Sequence, residues 1–194
     1  MATTKGETTR QAILDRATEL ARTVGLQGLS IGQLAGALEL SKSGLFAHFG
    51  SKDALEVAVV EHARDRFVAE VVAPALKAPR GEPRLRALFE RWMRWGSHAG
   101  GCLFVALAAE LDDRPGPARD ALAATIRDWL DSLATAARVA IAEGHLRRDA
   151  DPEQLAFGAY GVMLALHTMT RLVEDPEATA RARRALDALI DAAR

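Results

Sequence analysis

The chain has 194 residues, 49% of them apolar, a net charge of −1 and a single cysteine, Cys102. That length holds one large domain, or a small domain joined to a medium one, with enough apolar side chains to bury a core. An intrachain disulfide is excluded, and no apolar run approaches the roughly 18 residues that a membrane span needs. Abundant Ala, Leu, Arg and Glu with few β-branched clusters point to an all-α fold. The opening stretch, Met1–Arg10, carries no apolar signal core, so a cytoplasmic, reducing setting is expected.

Punctuation divides the chain into about nine helices. The first is expected from Thr8 or Thr9, where Thr8 and Gln11 fit a capping box, with Ile13, Ala17, Leu20 and Val24 on one face and Gly25 as its stop. A second helix follows Ser30 as N-cap and buries Ile31, Leu34, Ala35 and Leu38. A third follows Ser41 and turns Leu45 and Phe49 inward. Leu29 with Leu34, and Leu40 with Leu45, are placed to staple the two starts. Only Glu39 and Leu40 separate the second helix from the next cap, so the pair must meet at a sharp angle.

Gly50-Ser51 opens a long fourth helix, Lys52 to about Val72, with Leu55, Val59, His62, Phe67 and Val71 along it. Prolines 74, 79 and 83 mark a loop, and Pro83 starts a fifth helix reaching about His98. A sixth spans roughly Cys102 to Asp112, and a seventh runs from Pro117 to about Gly144. Asp151-Pro152-Glu153 and Asp175-Pro176-Glu177 are near-identical helix starts, each with an N-cap, a proline and then an acid facing the positive helix end. They open helices eight and nine. The expected division is a helix-turn-helix domain over 1–52, a linking helix four from 52, and a helical domain over 53–194. Residues 1–52 carry six basic and four acidic side chains, while the remaining 19 and 22 leave −3. A slightly basic head on an acidic body follows.

Three short helices, the last two tightly joined, form a rigid platform that presents one short helix to a DNA major groove. The outward positions of that helix are then small or polar: Ser41, Lys42, Ser43 and Gly44. Here the stretch Leu29-Ser-Ile-Gly-Gln-Leu-Ala35, followed by Leu40-Ser-Lys-Ser-Gly-Leu-Phe-Ala-His-Phe-Gly-Ser-Lys-Asp-Ala-Leu55, resembles the N-terminal signature of the TetR family of regulators. The resemblance covers about 50 residues; beyond it the chain is similar only in helix number, lengths and breaks.

That resemblance implies a ligand-responsive transcriptional regulator, a repressor by family habit. Its implied partners are a palindromic double-stranded DNA operator, a small partly apolar effector and a second copy of the chain, with no membrane and no cofactor. It implies Lys42, Ser43 and Gly44 at base edges, and Ser30, Ser41, His48 and Lys52 on phosphates. Phe46 stands where many members have a tyrosine, and offers apolar contact, as with a thymine methyl. A homodimer is implied through helices eight and nine, with Leu155, Ala159, Val162, Leu166, Leu186, Leu189 and Ile190 at the interface. Capping of the monomer core is the alternative for those residues. Phe67, Phe89, Trp92, Trp95, His98, Phe104, Trp129, Tyr160, Met163 and His167 fall on the segments that hold an inducer in the family; bulky residues at helical spacing are more often plain core, and the two histidines more often structural side chains.

An enzyme needs convergent chemistry. The five histidines are scattered with no His-x-x-x-His or Glu-x-x-His pair, so no metal site and no catalytic group are expected. Two other readings remain open: a thiol sensor built on Cys102, and a helical interaction protein whose head no longer binds DNA.

Overall fold

Helix α1 (Lys5–Val24) is already helical at Lys5, ahead of the Thr8 start expected from the capping box. The computed structural model of the chain describes residues 5–194; the first four residues of the stretch read for a signal core lie outside them. The buried face of α1 is Ile13, Leu14, Ala17, Thr18 and Ala21. It is rotated from the expected one, because Ala21 takes the inner position and leaves Val24 51% exposed. Gly25 does stop the helix: its φ is +72° and its N–H donates to the Ala21 carbonyl at 3.0 Å, a conformation glycine enters without strain.

The remaining elements are α2 (Ile31–Ala37), α3 (Lys42–Phe49), α4 (Lys52–Phe67), α5 (Glu82–Gly96), α6 (Leu103–Leu111), α7 (Pro117–Ala142), α8 (Pro152–Arg171) and α9 (Ala178–Ala192). There is no strand among the described residues. Beyond Phe67, α4 loosens into a π turn, Val68–Val72, before a last helical turn, Ala73–Ala75. Pro74 has no N–H for the ladder and its ring crowds the carbonyl four residues back, a conflict that a wider turn absorbs. The extra residue keeps Phe67 and Val71 inward, 4% and 1% exposed.

Packing divides these elements into two bodies. One comprises residues up to Arg66 together with Leu103–Ala124; the other comprises Phe67–Cys102 and Thr125–Arg194. The boundary read from the sequence at residue 52 marks the end of the helix-turn-helix. By packing, the first body also takes in most of α4, all of α6 and the start of α7. Its core is built from Ile13, Leu26, Leu34, Leu45, Leu55, Val59, Leu103 and Leu107. A polar clamp joins α1 to α4: His62 Nε2 sits 2.8 Å from Asp15 Oδ1 and its Nδ1 3.4 Å from Gln11 Nε2. The second body buries Phe67, Leu85, Phe89, Trp95, Leu133, Met163, Leu186 and Ile190.

The two Asp-Pro-Glu starts behave differently. Asp151 caps α8, its Oδ1 accepting the Gln154 N–H at 2.9 Å. Asp175 instead folds a turn ahead of α9: its Oδ1 accepts the Glu177 N–H at 2.9 Å, and its other oxygen is held by Arg181. Helix α9 therefore begins at Ala178 without a side-chain cap. Replacing Asp151 by Ala is expected to cost about 1 kcal/mol of stability, read as a lower urea midpoint; Asp175→Ala should act through the lost Arg181 pair and leave the helix content unchanged.

Candidate nucleic-acid interface and ligand cavity

Both caps of the helix-turn-helix are made. Ser30 Oγ accepts the Gln33 N–H at 3.4 Å and Ser41 Oγ accepts the Gly44 N–H at 3.0 Å. Between α2 and α3 the chain reverses through Glu39, whose φ is +54°. The Leu40 N–H reaches back to the Ala35 carbonyl at 2.9 Å, the bonding pattern of a helix end closed by one left-handed residue. A glycine usually sits there; a glutamate does so here. Leu34 and Leu45 are fully buried, whereas Ile31, Leu38 and Phe49, expected inward, are half-buried. The Phe49 ring is instead covered by the Arg10 guanidinium of α1, 4.9 Å from its centre, a cation–π contact the sequence reading missed.

The outward side of α3 carries Ser41, Lys42 and Ser43, all exposed, then half-buried Gly44 and Phe46, 42% exposed. His48 is half-buried beside Phe49. The Lys42 chain folds back over Gly32. A Cβ on Gly32 would lie 3.2 Å from Lys42 Cε, 3.6 Å from its Nζ and 3.7 Å from Ser30 Oγ. A bare backbone at Gly32 thus lets an ammonium and a hydroxyl share one spot at the start of α2. Two donors so placed suit a single phosphate. The signal was present in the sequence as the Ser-x-Gly spacing, but nothing there says that a lysine ten residues later would fold over it.

Lys52, expected on a phosphate, is half-exposed and already engaged. Its Nζ donates to the Gln27 carbonyl at 3.3 Å and lies 3.6 Å from Glu56 Oε1. Burial pushes the Glu56 carboxyl above its ordinary range, against the pull of Lys52 and Arg114. Beside them, the turn after α1 is pinned by Glu110 of α6, whose carboxylate accepts the Leu26 N–H at 3.0 Å and the Gln27 N–H at 2.7 Å. Glu110 was not singled out from sequence.

The expected pocket residues do not converge on one site. Phe67, Trp95 and Trp129 stack edge to face, Phe67 lying 5.5 Å from Trp95 and 5.0 Å from Trp129. With Phe89 and Met163 they are buried core. The Trp129 indole N–H is buried with no acceptor among the described residues. Tyr160 is half-buried, and burial raises its phenol above the usual range. Phe104 is buried in the first body. The others, Trp92, His98 and His167, line a half-open cavity of about 450 Å³ together with Glu90, Arg94, Arg171 and Arg183. The arginines were missed because charged helix positions read as solvated faces.

Of the residues expected at a dimer interface, Leu155, Ala159, Leu166, Leu186 and Ile190 are buried inside the chain and Val162 and Leu189 are half-buried. α8 packs on α9, with Leu189 seated on Gly158. What α8 leaves outward is a different apolar row: Phe157, 68% exposed, Gly161, Ala165, Met169 and, just past the helix, Leu172, 79% exposed.

Among the described residues no group of three or more His, Cys, Asp or Glu side chains is arranged to hold a metal ion, and no helix is long and apolar enough to cross a membrane. Two family profiles match the chain: "Bacterial regulatory proteins, tetR family" over residues 13–59, and "Tetracyclin repressor-like, C-terminal domain" over residues 81–186. No curated protein sequence matches it. Among solved structures it resembles a TetR transcriptional regulator of Chloroflexus aurantiacus at 25% identity, covering 96% of this chain and 94% of that one with a TM-score of 0.85. A TetR-family regulator of Cytophaga hutchinsonii is similar at 20% identity, over 100% and 98% of the two chains, with a TM-score of 0.87. AibR, solved with isovaleryl coenzyme A and operator DNA, is similar at 24% identity over 91% and 97%, with a TM-score of 0.71.

Proposed function

The chain belongs to the TetR family of bacterial regulatory proteins, and from that membership we propose a repressor that binds a palindromic operator as a homodimer and is released by a small, partly apolar effector. The observation that carries the DNA half is the outward surface of α3, with the Lys42 ammonium and Ser30 hydroxyl brought together over Gly32. Ser43 and Gly44 then stand at base edges, and Ser41, His48 and Lys52 along the phosphates. Selection of bound duplexes from random DNA tests it. A two-fold symmetric motif is expected, with affinity falling steeply as salt rises. Indifference to every duplex at low salt overturns the reading.

Phe46 supplies a finer test. Phe46→Tyr adds a hydroxyl at an exposed position and should raise operator affinity at least about tenfold, since one hydrogen bond to a charged acceptor is worth about 1.5–3 kcal/mol. Because no charge changes, the salt dependence should stay as it was.

For the dimer, the residues expected from the sequence are largely consumed within the chain, so the proposed contact is the outward α8 row around Phe157, Ala165 and Met169. Exposed apolar rows of this kind mark association surfaces. Phe157→Arg is expected to give a monomer by light scattering with unchanged helicity, and to weaken operator binding through lost bivalency. A persistent dimer would move the interface elsewhere.

The effector half draws on AibR, whose structure holds a coenzyme A thioester and operator DNA together. Release follows from a population shift: the effector favours a form of the second body in which α4, which contributes residues to both bodies, no longer sets the heads at operator spacing. Cys102, only 1% exposed, lacks the access a thiol sensor needs.

A further inference from the structure

The half-open cavity of the second body is walled on one side by Trp92, Met93 and Leu166, which are 3%, 8% and 7% exposed. Its polar groups are not balanced. Arg183 forks onto Glu90, Nε to Oε1 at 2.8 Å and Nη2 to Oε2 at 3.0 Å. That pair neutralises the one carboxylate in the lining. Arg94 and Arg171 remain, and neither makes an ion pair or a side-chain hydrogen bond among the described residues. Two nearby acids are diverted: Glu90, four residues before Arg94, is held by Arg183, and Asp175, four residues after Arg171, is held by Arg181. Glu174, three residues after Arg171, makes no ion pair with it.

Of the three hydroxyls in the lining, those of Ser97 and Thr170 are committed to their own backbone, which leaves that of Thr179. Ser97 donates to the Arg94 carbonyl at 2.8 Å, and Thr170 to the Leu166 and His167 carbonyls at 2.8 and 3.2 Å. A polyol would find few donors here, and a cation would find no free carboxylate. His167 is half-buried, and burial and then Arg171 lower its pKa, which disfavours the charged form of its ring.

We propose that this cavity binds an amphiphilic anion, a single carboxylate or phosphate headgroup held between Arg94 and Arg171 with its apolar body against Trp92, Met93 and Leu166. Two guanidiniums present paired N–H groups that match a carboxylate or phosphate edge. A volume of about 450 Å³ falls within the range of small-ligand sites. The assignment rests on the effector reading above and gives it a place and a chemical class.

The test is calorimetric titration of the DNA-free dimer, below micellar concentrations, with four probes sharing one chain: octanoate, octyl phosphate, octanamide and octylammonium. The anions should bind at least tenfold more tightly than the amide, and the ammonium most weakly; whichever anion binds more tightly identifies the headgroup. Arg94→Gln and Arg171→Gln, both at exposed positions, should each weaken anion binding at least fivefold while amide binding stays within twofold. Equal binding of amide and anions, tighter binding of the ammonium, or unchanged anion affinity in both variants overturns the proposal. Operator release is followed separately on the same samples. Arginine-dependent anion binding without release supports the site and removes its role as effector; release by other compounds with no anion binding removes the site and leaves the regulator.

Discussion

Lys42→Glu is expected to lower operator affinity at least a hundredfold, about 3 kcal/mol at roughly 1.4 kcal/mol per factor of ten, without moving the unfolding midpoint. The side chain is exposed on the first turn of α3 and lies across Gly32 beside Ser30, so nothing in the core depends on it. Removing one phosphate contact from each protomer should flatten the plot of log affinity against log salt by about two. Reversal of charge adds repulsion to that loss. Lys52→Ala provides the contrast. It removes the ammonium between the Gln27 carbonyl and buried Glu56, so DNA affinity and thermal stability should fall together. Filter binding across a salt series, paired with circular dichroism melts, separates the two lysines. Operator affinity for Lys42→Glu within threefold of wild type, at the same salt slope, would exclude α3 as the reading helix.

Gly25→Ala should destabilise the protein by about 3–5 kcal/mol. Alanine at φ +72° costs about 1–2 kcal/mol by itself. Its Cβ would also lie 2.2 Å from Glu110 Oε2 and 3.0 Å from the carboxyl carbon, so the carboxylate must leave. Doing so strands the part-buried Leu26 N–H, whose bond to a charged acceptor is worth about 1.5–3 kcal/mol, and returns the exposed Gln27 N–H to water. Urea unfolding measures the loss. Glu110→Gln keeps the shape and loses the charge, so it should cost less than half as much. A Gly25→Ala variant within 1 kcal/mol of wild type would show that the turn relaxes freely.

What the sequence made legible was short-range. The caps at Ser30, Ser41 and Asp151 depend on residues three apart, and each was found where expected. The family signature around Ser41–Gly44 is local for the same reason. Long-range partnership was not legible. Val24 has helical spacing as good as that of Ala21, yet only the fold decides which is covered. Leu155 and Phe157 lie two positions apart on α8, and only the fold decides that the first is buried and the second exposed. The π turn at Val68–Val72 leaves no pattern beyond Pro74 itself. In the cavity, aromatic side chains were chosen for bulk, and most of them fill the core. The arginines stood out only once Arg183 and Arg181 were seen holding the acids that spacing would have given to Arg94 and Arg171.

The grip of Glu110 on the turn at Leu26 and Gln27 bears on any attempt to transplant specificity. The DNA-reading segment is not a portable cassette. A hybrid that keeps residues 1–52 and borrows the rest from another regulator would present two main-chain amides to a foreign sixth helix. Unless that helix offers an acid at the corresponding turn, the graft should fold poorly, whatever its recognition residues. Exchanging residues 103–124 along with the head would carry the missing anchor across.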